Sequence, residues 1–126
     1  MFSHIVIGTH DLAAAQKFYD ATLGAIGVPE GLRNDEKQRI YYRTPAGTLI
    51  VAKPIDGAPA SAGNGSTIGF KCETTEQADA FHGSAVANGG TSVEDPPGWR
   101  DTGDRKLYLC YVRDPSGNKL CAMLPG

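Results

Sequence analysis

The sequence predicts an α+β fold in which two tandem βαβββ modules form a concave cleft. Two internal matches predict it. Residues 3–27 align with residues 66–90 at a constant offset of 63 and without a gap, and residues 43–47 align with 113–117 at an offset of 70. An internal repeat indicates that each copy is one structural unit that buries its apolar face against its neighbour.

Each half is predicted to open with a strand and a helix. His4–Gly8 is rich in β-branched residues, and the apolar residues that follow it recur at helical spacing. Asp11 and its counterpart Thr74 are residue types that favour the N-cap, and Gln77 completes a capping box with Thr74. The side chains expected to form the core face of the first helix are Leu12, Ala15, Phe18, Tyr19, Thr22 and Leu23.

Each half is predicted to close with a hairpin. Residues 43–47 and 113–117 carry proline and glycine at matching positions, and both residue types favour tight turns. The flanking strands are expected over residues 40–43, 49–53, 107–113 and 119–124. The strands that follow the helices are the weakest, near residues 25–28 and 91–94.

The register of the second hairpin decides which side chains face the cleft. If residues 114–117 form a four-residue loop, Arg113 pairs with Asn118, and Cys110 then lies opposite Cys121 on the same face. This register places both cysteines in the cleft.

The same register distributes the aromatic residues. Tyr108 shares the cleft face, whereas Tyr111 belongs to the core under the helix. Tyr42 is predicted on the cleft side because its repeat partner, Val112, falls on that side. Trp99 lies in a long loop predicted over residues 94–104, which could cap the cleft.

The chain is expected to be a single domain, 1–126, with modules of about 1–55 and 65–126. The linker between them, about 56–64, consists mainly of glycine, alanine and proline, together with other small residues.

Composition excludes several classes of function. The formal net charge is −2 and there is no run of Lys or Arg, which argues against nucleic acid as a partner. No apolar run approaches the roughly 18 residues that cross a bilayer. An odd count of three cysteines, without a recognisable signal peptide, predicts reduced thiols and a cytoplasmic protein.

The chain resembles the glyoxalase/bleomycin-resistance (vicinal oxygen chelate) superfamily. The resemblance rests on His4–Ile7, Asp11–Leu12, Phe18–Tyr19 and Leu23–Gly24 in the first half, and on Val112–Asn118 in the second. It implies a glyoxalase-like fold and assembly as a homodimer. Members of the superfamily include metal-dependent lyases, isomerases, dioxygenases and drug-binding resistance proteins.

The resemblance also implies where metal ligands would lie. Most metalloenzyme members use a histidine in each opening strand and a glutamate in the last strand. The corresponding positions here are His4, Thr67 and Cys121, with Val51 as the repeat partner of Cys121. Only His4 is a ligand of the family type, so we expect no catalytic metal and no other cofactor. A His4–Cys121 pair could bind a divalent metal weakly.

Two main functions remain open at this point. The first is a degenerate member that binds a small organic molecule without a metal. The second is a metal-dependent lyase, isomerase or dioxygenase that acts on a small carbonyl or glutathione-linked substrate, with His4 as the candidate catalytic base. A module without any ligand is a third reading. The candidate cleft residues are His4, Thr67, Cys121, Cys110, Tyr108, Tyr42 and Trp99.

Overall fold

The computed structural model describes residues 1–125. The first half contains, in order, β1 (His4–Gly8), α1 (Leu12–Gly24), β2 (Leu32–Asn34), β3 (Arg39–Thr44) and β4 (Gly47–Ala52). The second half contains β5 (Ile68–Lys71), α2 (Thr75–Ala87), β6 (Thr91–Asp101), β7 (Lys106–Arg113) and β8 (Lys119–Pro125).

The strands form two four-stranded sheets with the same topology. Their orders are β1-β4-β3-β2 and β5-β8-β7-β6, and in each sheet the first strand runs parallel to the last. The α+β fold of two tandem βαβββ halves is therefore confirmed. Within residues 1–125, neither helix has the length and apolar character that a membrane-spanning segment requires.

The helix starts follow the predicted capping chemistry. The Asp11 carboxylate accepts a hydrogen bond from the Ala14 amide, and the Thr74 hydroxyl accepts one from the Gln77 amide, both at 3.1 Å. The Gln77 side chain in turn accepts from the Glu73 amide at 2.7 Å. All six residues predicted for the core face of α1 are buried. These local signals are sufficient to set both helix starts.

Each helix covers one face of its own sheet. Ile40, Tyr42 and Val51 are buried on the face of the first sheet that α1 covers. On the second sheet, the Phe70 ring lies 5.9 Å from the Phe81 ring of α2. Burying a large apolar side chain contributes about 1.5–3 kcal/mol, so these contacts are the main stabilisation of the fold.

The opposite faces carry no helix, and we call them the helix-free faces. Because side chains alternate between the two faces along a strand, the pairing register shows which residues point to the helix-free face. The first helix-free face includes His4, Val6, Gly8, Arg39, Tyr41, Arg43, Thr48, Ile50 and Ala52. The second includes Gly69, Lys71, Leu109, Tyr111, Arg113, Lys119, Cys121 and Met123.

Two predicted segments differ from the structure. The strand expected near residues 25–28 is wrong, because the chain turns there and β2 forms only at Leu32–Asn34. The loop expected over residues 94–104 is also wrong, since most of it belongs to β6. β6 is the outer strand of its sheet, where proline is tolerated, and its register shifts between Val93 and Gly98 around the two prolines.

The predicted register of the second hairpin is wrong by one residue. Arg113 pairs with Lys119, so the turn contains five residues instead of four. The Asp114 carboxylate stabilises this longer turn by accepting the amides of Ser116 and Asn118, both at 2.9 Å. A slip of one residue moves every side chain of a strand to the other face.

The five-residue turn also joins the two halves. The Asn118 side-chain amide donates to the Gly8 carbonyl at 2.8 Å, and the Ser116 hydroxyl accepts from the His10 amide at 3.0 Å. From α1, the Tyr19 hydroxyl donates to Asp114 at 2.6 Å. We call this cluster, formed by residues 8–10, Tyr19 and the turn 114–118, the closed end of the interface between the halves.

Candidate functional site

A cavity of about 480 Å³ lies between the two halves, and we call it the inter-half pocket. Its apolar walls include Leu23, Ile26, Val28 and Leu49 from the first half and Ile68 and Phe70 from the second. Its polar lining includes His4, Thr44, Thr48, Lys71 and Glu73. The free edges of β1 and β5 both contribute, so the pocket depends on how the halves dock.

The pocket is open because the first hairpin is short. Only Pro45 and Ala46 separate the paired residues Thr44 and Gly47. The equivalent turn of the second half has five residues and reaches across to the first half, whereas this one lies along the pocket wall. We call this side of the interface the open end.

His4 stands on the helix-free face at this pocket, as part of its polar wall. Its Nδ1 lies 2.8 Å from the Ser3 hydroxyl, a contact that orients the imidazole and leaves Nε2 as the nitrogen that can bind a ligand. Thr48 is the Cα partner of His4 and also lines the pocket. The candidate site residue His4 thus lies where a small molecule could contact it.

Tyr42 lines the pocket from the other side of the sheet. It was expected on the cleft face, but it is on the face that α1 covers, and only 1% of it is exposed. Its hydroxyl donates to Asp20 at 2.8 Å. Burial, followed by the bond to Asp20, raises the pKa of Tyr42, so the phenol stays neutral. Tyr42 is therefore a neutral wall residue whose hydroxyl proton is already bound to Asp20.

The predictions for Cys110, Tyr108 and Trp99 are wrong. The thiol of Cys110 faces α2, 3.7 Å from the Ala78 carbonyl, and burial raises its pKa to about 12. The Tyr108 hydroxyl donates to Asp79 of α2 at 2.6 Å, with Trp99 packed edge-on against the Tyr108 ring at 5.3 Å. The register slip explains Cys110 and Tyr108, and Trp99 belongs to β6 instead of a capping loop.

Thr67 and Cys121 lie beside the pocket. Thr67 is exposed and directly precedes Ile68, and Cys121 is the Cα partner of Gly69. Ile68 and Gly69 line the pocket, but the two predicted residues do not. Cys121 is only 6% exposed. Of the seven candidate cleft residues, the structure places His4 and Tyr42 in one cavity.

The register also corrects the repeat partner of Cys121. Arg43 pairs with Thr48, whereas Arg113 pairs with Lys119, so the last strands correspond at an offset of 71. Cys121 therefore corresponds to Ile50, on the same helix-free face as His4, and not to Val51. Neither valine nor isoleucine has a donor atom, so the first half still offers one ligand.

The residues at these positions do not fit a catalytic metal ion. Cys121 is buried and does not line the pocket, and burial raises the pKa of its thiol to about 11, so a metal ion would displace the thiol proton at a higher free-energy cost than from an exposed cysteine. Thr67 offers only a neutral hydroxyl. Within residues 1–125, no three His, Cys, Asp or Glu side chains lie together in a group that could bind a metal ion.

Sequence reasoning missed the contribution of β5. Gly69, Lys71 and Glu73 line the pocket but carry no motif that marks them. The repeat offers the one available signal, because an offset of 63 places residues 68–71 opposite β1 in the duplicated fold. Equivalent strands at a pseudo-symmetric interface contribute to the same cavity.

Comparison with known proteins gives one family. The family model of the Glyoxalase/Bleomycin resistance protein/Dioxygenase superfamily matches residues 1–122. Among curated proteins, none matches the chain.

Solved structures are similar over nearly the whole chain. A glyoxalase/bleomycin resistance protein from Albidiferax ferrireducens T118 is 54% identical, with 98% of each chain covered and a TM-score of 0.93. A glyoxalase-related enzyme from Fulvimarina pelagi is 19% identical, covering 98% of this chain and 87% of the other, with a TM-score of 0.76. Lactoylglutathione lyase from Agrobacterium tumefaciens is 16% identical, with coverages of 98% and 92% and a TM-score of 0.68. The last two share the fold alone.

Proposed function

Since the chain belongs to the Glyoxalase/Bleomycin resistance protein/Dioxygenase superfamily, we propose that it is a member with a degenerate metal site that binds a small organic molecule in the inter-half pocket. The observation that carries this proposal is the combination of a large apolar cavity with a donor set too weak for a catalytic metal. The homodimer and the cytoplasmic location implied above remain parts of the same proposal.

The pocket has the properties of a small-molecule site. Its volume of about 480 Å³ falls within the roughly 300–1,000 Å³ of known ligand cavities. Aliphatic and aromatic side chains form most of its wall, and a few polar groups stand at defined points. This combination suits a ligand with an apolar body and a limited number of polar atoms.

The donor set argues against the metal-dependent alternative. A catalytic zinc site normally has three protein ligands and an open position. The positions that correspond to family ligands offer one imidazole, one hydroxyl, one isoleucine and one buried thiol that does not line the pocket. Here His4 is proposed as a ligand-contacting residue at the pocket, with Nε2 facing the bound molecule.

A substitution that fills the pocket tests the proposal. Gly69 lines the cavity, and no atom would lie within 4 Å of a Cβ added there, so Gly69→Phe should fold and occupy ligand space. A library compound present at about 100 times its Kd should stabilise the wild type by about 2.7 kcal/mol. We expect thermal-shift measurements to show this gain for the wild type and its loss in Gly69→Phe.

The matched control is Gly83→Phe. Gly83 is exposed on α2, and an added Cβ there also meets no atom within 4 Å. This variant should keep the ligand-dependent shift. The proposal fails if no compound of a broad library raises the melting temperature, or if Gly69→Phe responds like the wild type. One equivalent of a transition metal that His4→Ala removes would favour the enzyme instead.

A further inference from the structure

The first sheet carries an unusual distribution of charge. Strands β1 to β4 contain no Asp or Glu, although the whole chain has 14 acidic residues. The same strands contain Arg33, Arg39, Arg43 and His4. Asp35, just after β2, pairs with Arg33, so among residues 1–125 the unpaired positive charge of this sheet belongs to Arg39 and Arg43.

Arg43 stands next to the wall of the inter-half pocket. It is the Cα partner of Thr48, and Thr48 is in turn the partner of His4, so the three residues form one row across the helix-free face. Directly opposed side chains on a sheet lie about 4.5–5.5 Å apart at Cβ. Because Thr48 and His4 line the pocket, the row leads from the cavity to the backbone of Arg43, whose guanidinium group lies over Tyr41 on the same face.

The guanidinium of Arg43 is held in place without an acidic partner. It lies over the Tyr41 ring, 4.5 Å from the centroid, and stacking of this kind orients the planar group. Among residues 1–125, the salt bridges are Arg33–Asp35 and Lys119–Glu94, so Arg43 has no carboxylate within 4.0 Å. Its hydrogen-bond donors remain available to a ligand.

A second arginine adds positive charge to the same face, but it lies about 13 Å along the strand from Arg43 and does not line the pocket. Arg39 lies four residues from Arg43 on β3, and its Nε is removed from water without a hydrogen-bond acceptor. On the opposite wall, Lys71 and Glu73 carry opposite charges, so the net positive charge belongs to the first sheet.

We propose that the ligand is an amphiphilic anion, with an apolar body in the inter-half pocket and an oxyanion group bound by Arg43. This inference rests on the proposed function, because it uses the same pocket. A carboxylate, phosphate or sulfonate would accept two parallel hydrogen bonds from the guanidinium. The face supplies no acidic residue that would repel it.

The test compares two fluorescent probes that differ by one charged group. 1-Anilinonaphthalene-8-sulfonate carries a sulfonate, and N-phenyl-1-naphthylamine is its neutral counterpart. The wild type should bind the anionic probe about tenfold more tightly, which corresponds to about 1.4 kcal/mol. Arg43→Gln should remove this preference and leave the neutral probe unchanged, and Arg43→Lys should restore part of it.

Arg33→Gln is the matched control, since Arg33 already pairs with Asp35 at the outer strand. It should change neither affinity. Competition by 1-naphthoate and 1-naphthyl phosphate then distinguishes a carboxylate from a phosphate as the preferred group. Raising the salt concentration should weaken the anionic probe in the wild type more than in Arg43→Gln.

Two results overturn the inference while leaving the pocket intact. Either the two probes bind the wild type equally, or Arg33→Gln weakens the anionic probe as much as Arg43→Gln. In both cases Gly69→Phe should still block the probes, because the pocket itself would be unaffected. If Gly69→Phe blocks neither probe, the proposed function fails with it.

Discussion

The two ends of the interface between the halves derive from a duplicated sequence but differ in structure. At the closed end, a five-residue turn reaches the other half and forms hydrogen bonds with residues 8–10 and Tyr19. At the open end, only two residues separate Thr44 from Gly47, and one of them, Ala46, lines a cavity of about 480 Å³. The longer turn of the second half thus holds the two halves together at one end, whereas the shorter turn of the first half leaves room for a ligand at the other.

The division of roles follows from how each end satisfies its polar groups. Asp114 is 5% exposed and accepts hydrogen bonds from Tyr19, Ser116 and Asn118. Within residues 1–125, the hydroxyl of its repeat partner Thr44 bonds only inside its own turn, where it donates to the Gly47 carbonyl and accepts from the Ala46 amide. The closed end thus fixes the relative position of the halves, and the open end is left available for binding.

The largest expected effect comes from removing the Asp114 carboxylate. Asp114→Ala leaves the buried Tyr19 hydroxyl and the turn amides without their acceptor, and we expect it to lower the free energy of unfolding by about 3 kcal/mol. Thr44→Ala, the matched change at the open end, should cost about 1 kcal/mol. Urea unfolding measures both. Equal losses of unfolding free energy in the two variants would show that both ends stabilise the fold to the same extent, which would contradict the proposed difference between them.

Much of the fold could be predicted from the sequence because its signals are local. The offset of 63 identified both strand–helix units, and the caps at Asp11 and Thr74 set the helix starts. The core face of α1 followed from helical periodicity alone. Each of these signals depends on residues a few positions apart in the chain.

The wrong predictions of register and loop have a common physical origin. Both depend on side-chain and tertiary interactions that a pattern of residue types does not show. The turn after Arg113 gained one residue because the Asp114 side chain accepts two backbone amides, and that slip exchanged Cys110 for Tyr111 on the helix-free face. Trp99 lies in a strand and not in the predicted loop, because an outer strand with a shifted register accommodates the two prolines that precede it.

The candidate site was only partly predictable for a different reason. His4 was found through the resemblance and lies at the pocket. The cavity itself is a consequence of docking between the halves, with walls that include Leu23, Ile68 and Phe70, far apart in the chain. Nothing in the spacing of these residues indicates which end of a duplicated interface stays open.

A smaller effect is expected from the tyrosine that joins the halves. Tyr19→Phe removes a buried bond to a carboxylate and should cost about 1.5 kcal/mol at pH 7. Tyr42→Phe, which removes the partly buried bond to Asp20 within one half, should cost about 1 kcal/mol. Urea unfolding of the two variants under identical conditions gives the comparison.

The stability difference between the wild type and Tyr19→Phe should also depend on pH. Burial, and then the charge and hydrogen bond of Asp114, raise the pKa of Tyr19 well above its ordinary value near 10. A raised folded-state pKa stabilises the protein fully below pH 10, and this stability is lost as the pH rises above 10. The difference between wild type and Tyr19→Phe should therefore shrink above pH 10. A difference that stays constant to pH 11 would contradict the assignment.

The smallest expected change in stability comes from Ser116→Ala, which tests whether the closed end holds the halves together without affecting ligand binding at the pocket. Ser116→Ala removes the contacts of one hydroxyl with the His10 amide and the Thr9 hydroxyl, and should cost about 1 kcal/mol. Its repeat counterpart, Ala46→Ser, adds a hydroxyl in an exposed turn and should stay within about 0.5 kcal/mol of wild type. Because the closed end lies away from the inter-half pocket, Ser116→Ala should leave the affinity for 1-anilinonaphthalene-8-sulfonate unchanged. A tenfold loss of affinity in that variant would mean that the closed end sets the width of the pocket, and that the two ends act as one unit.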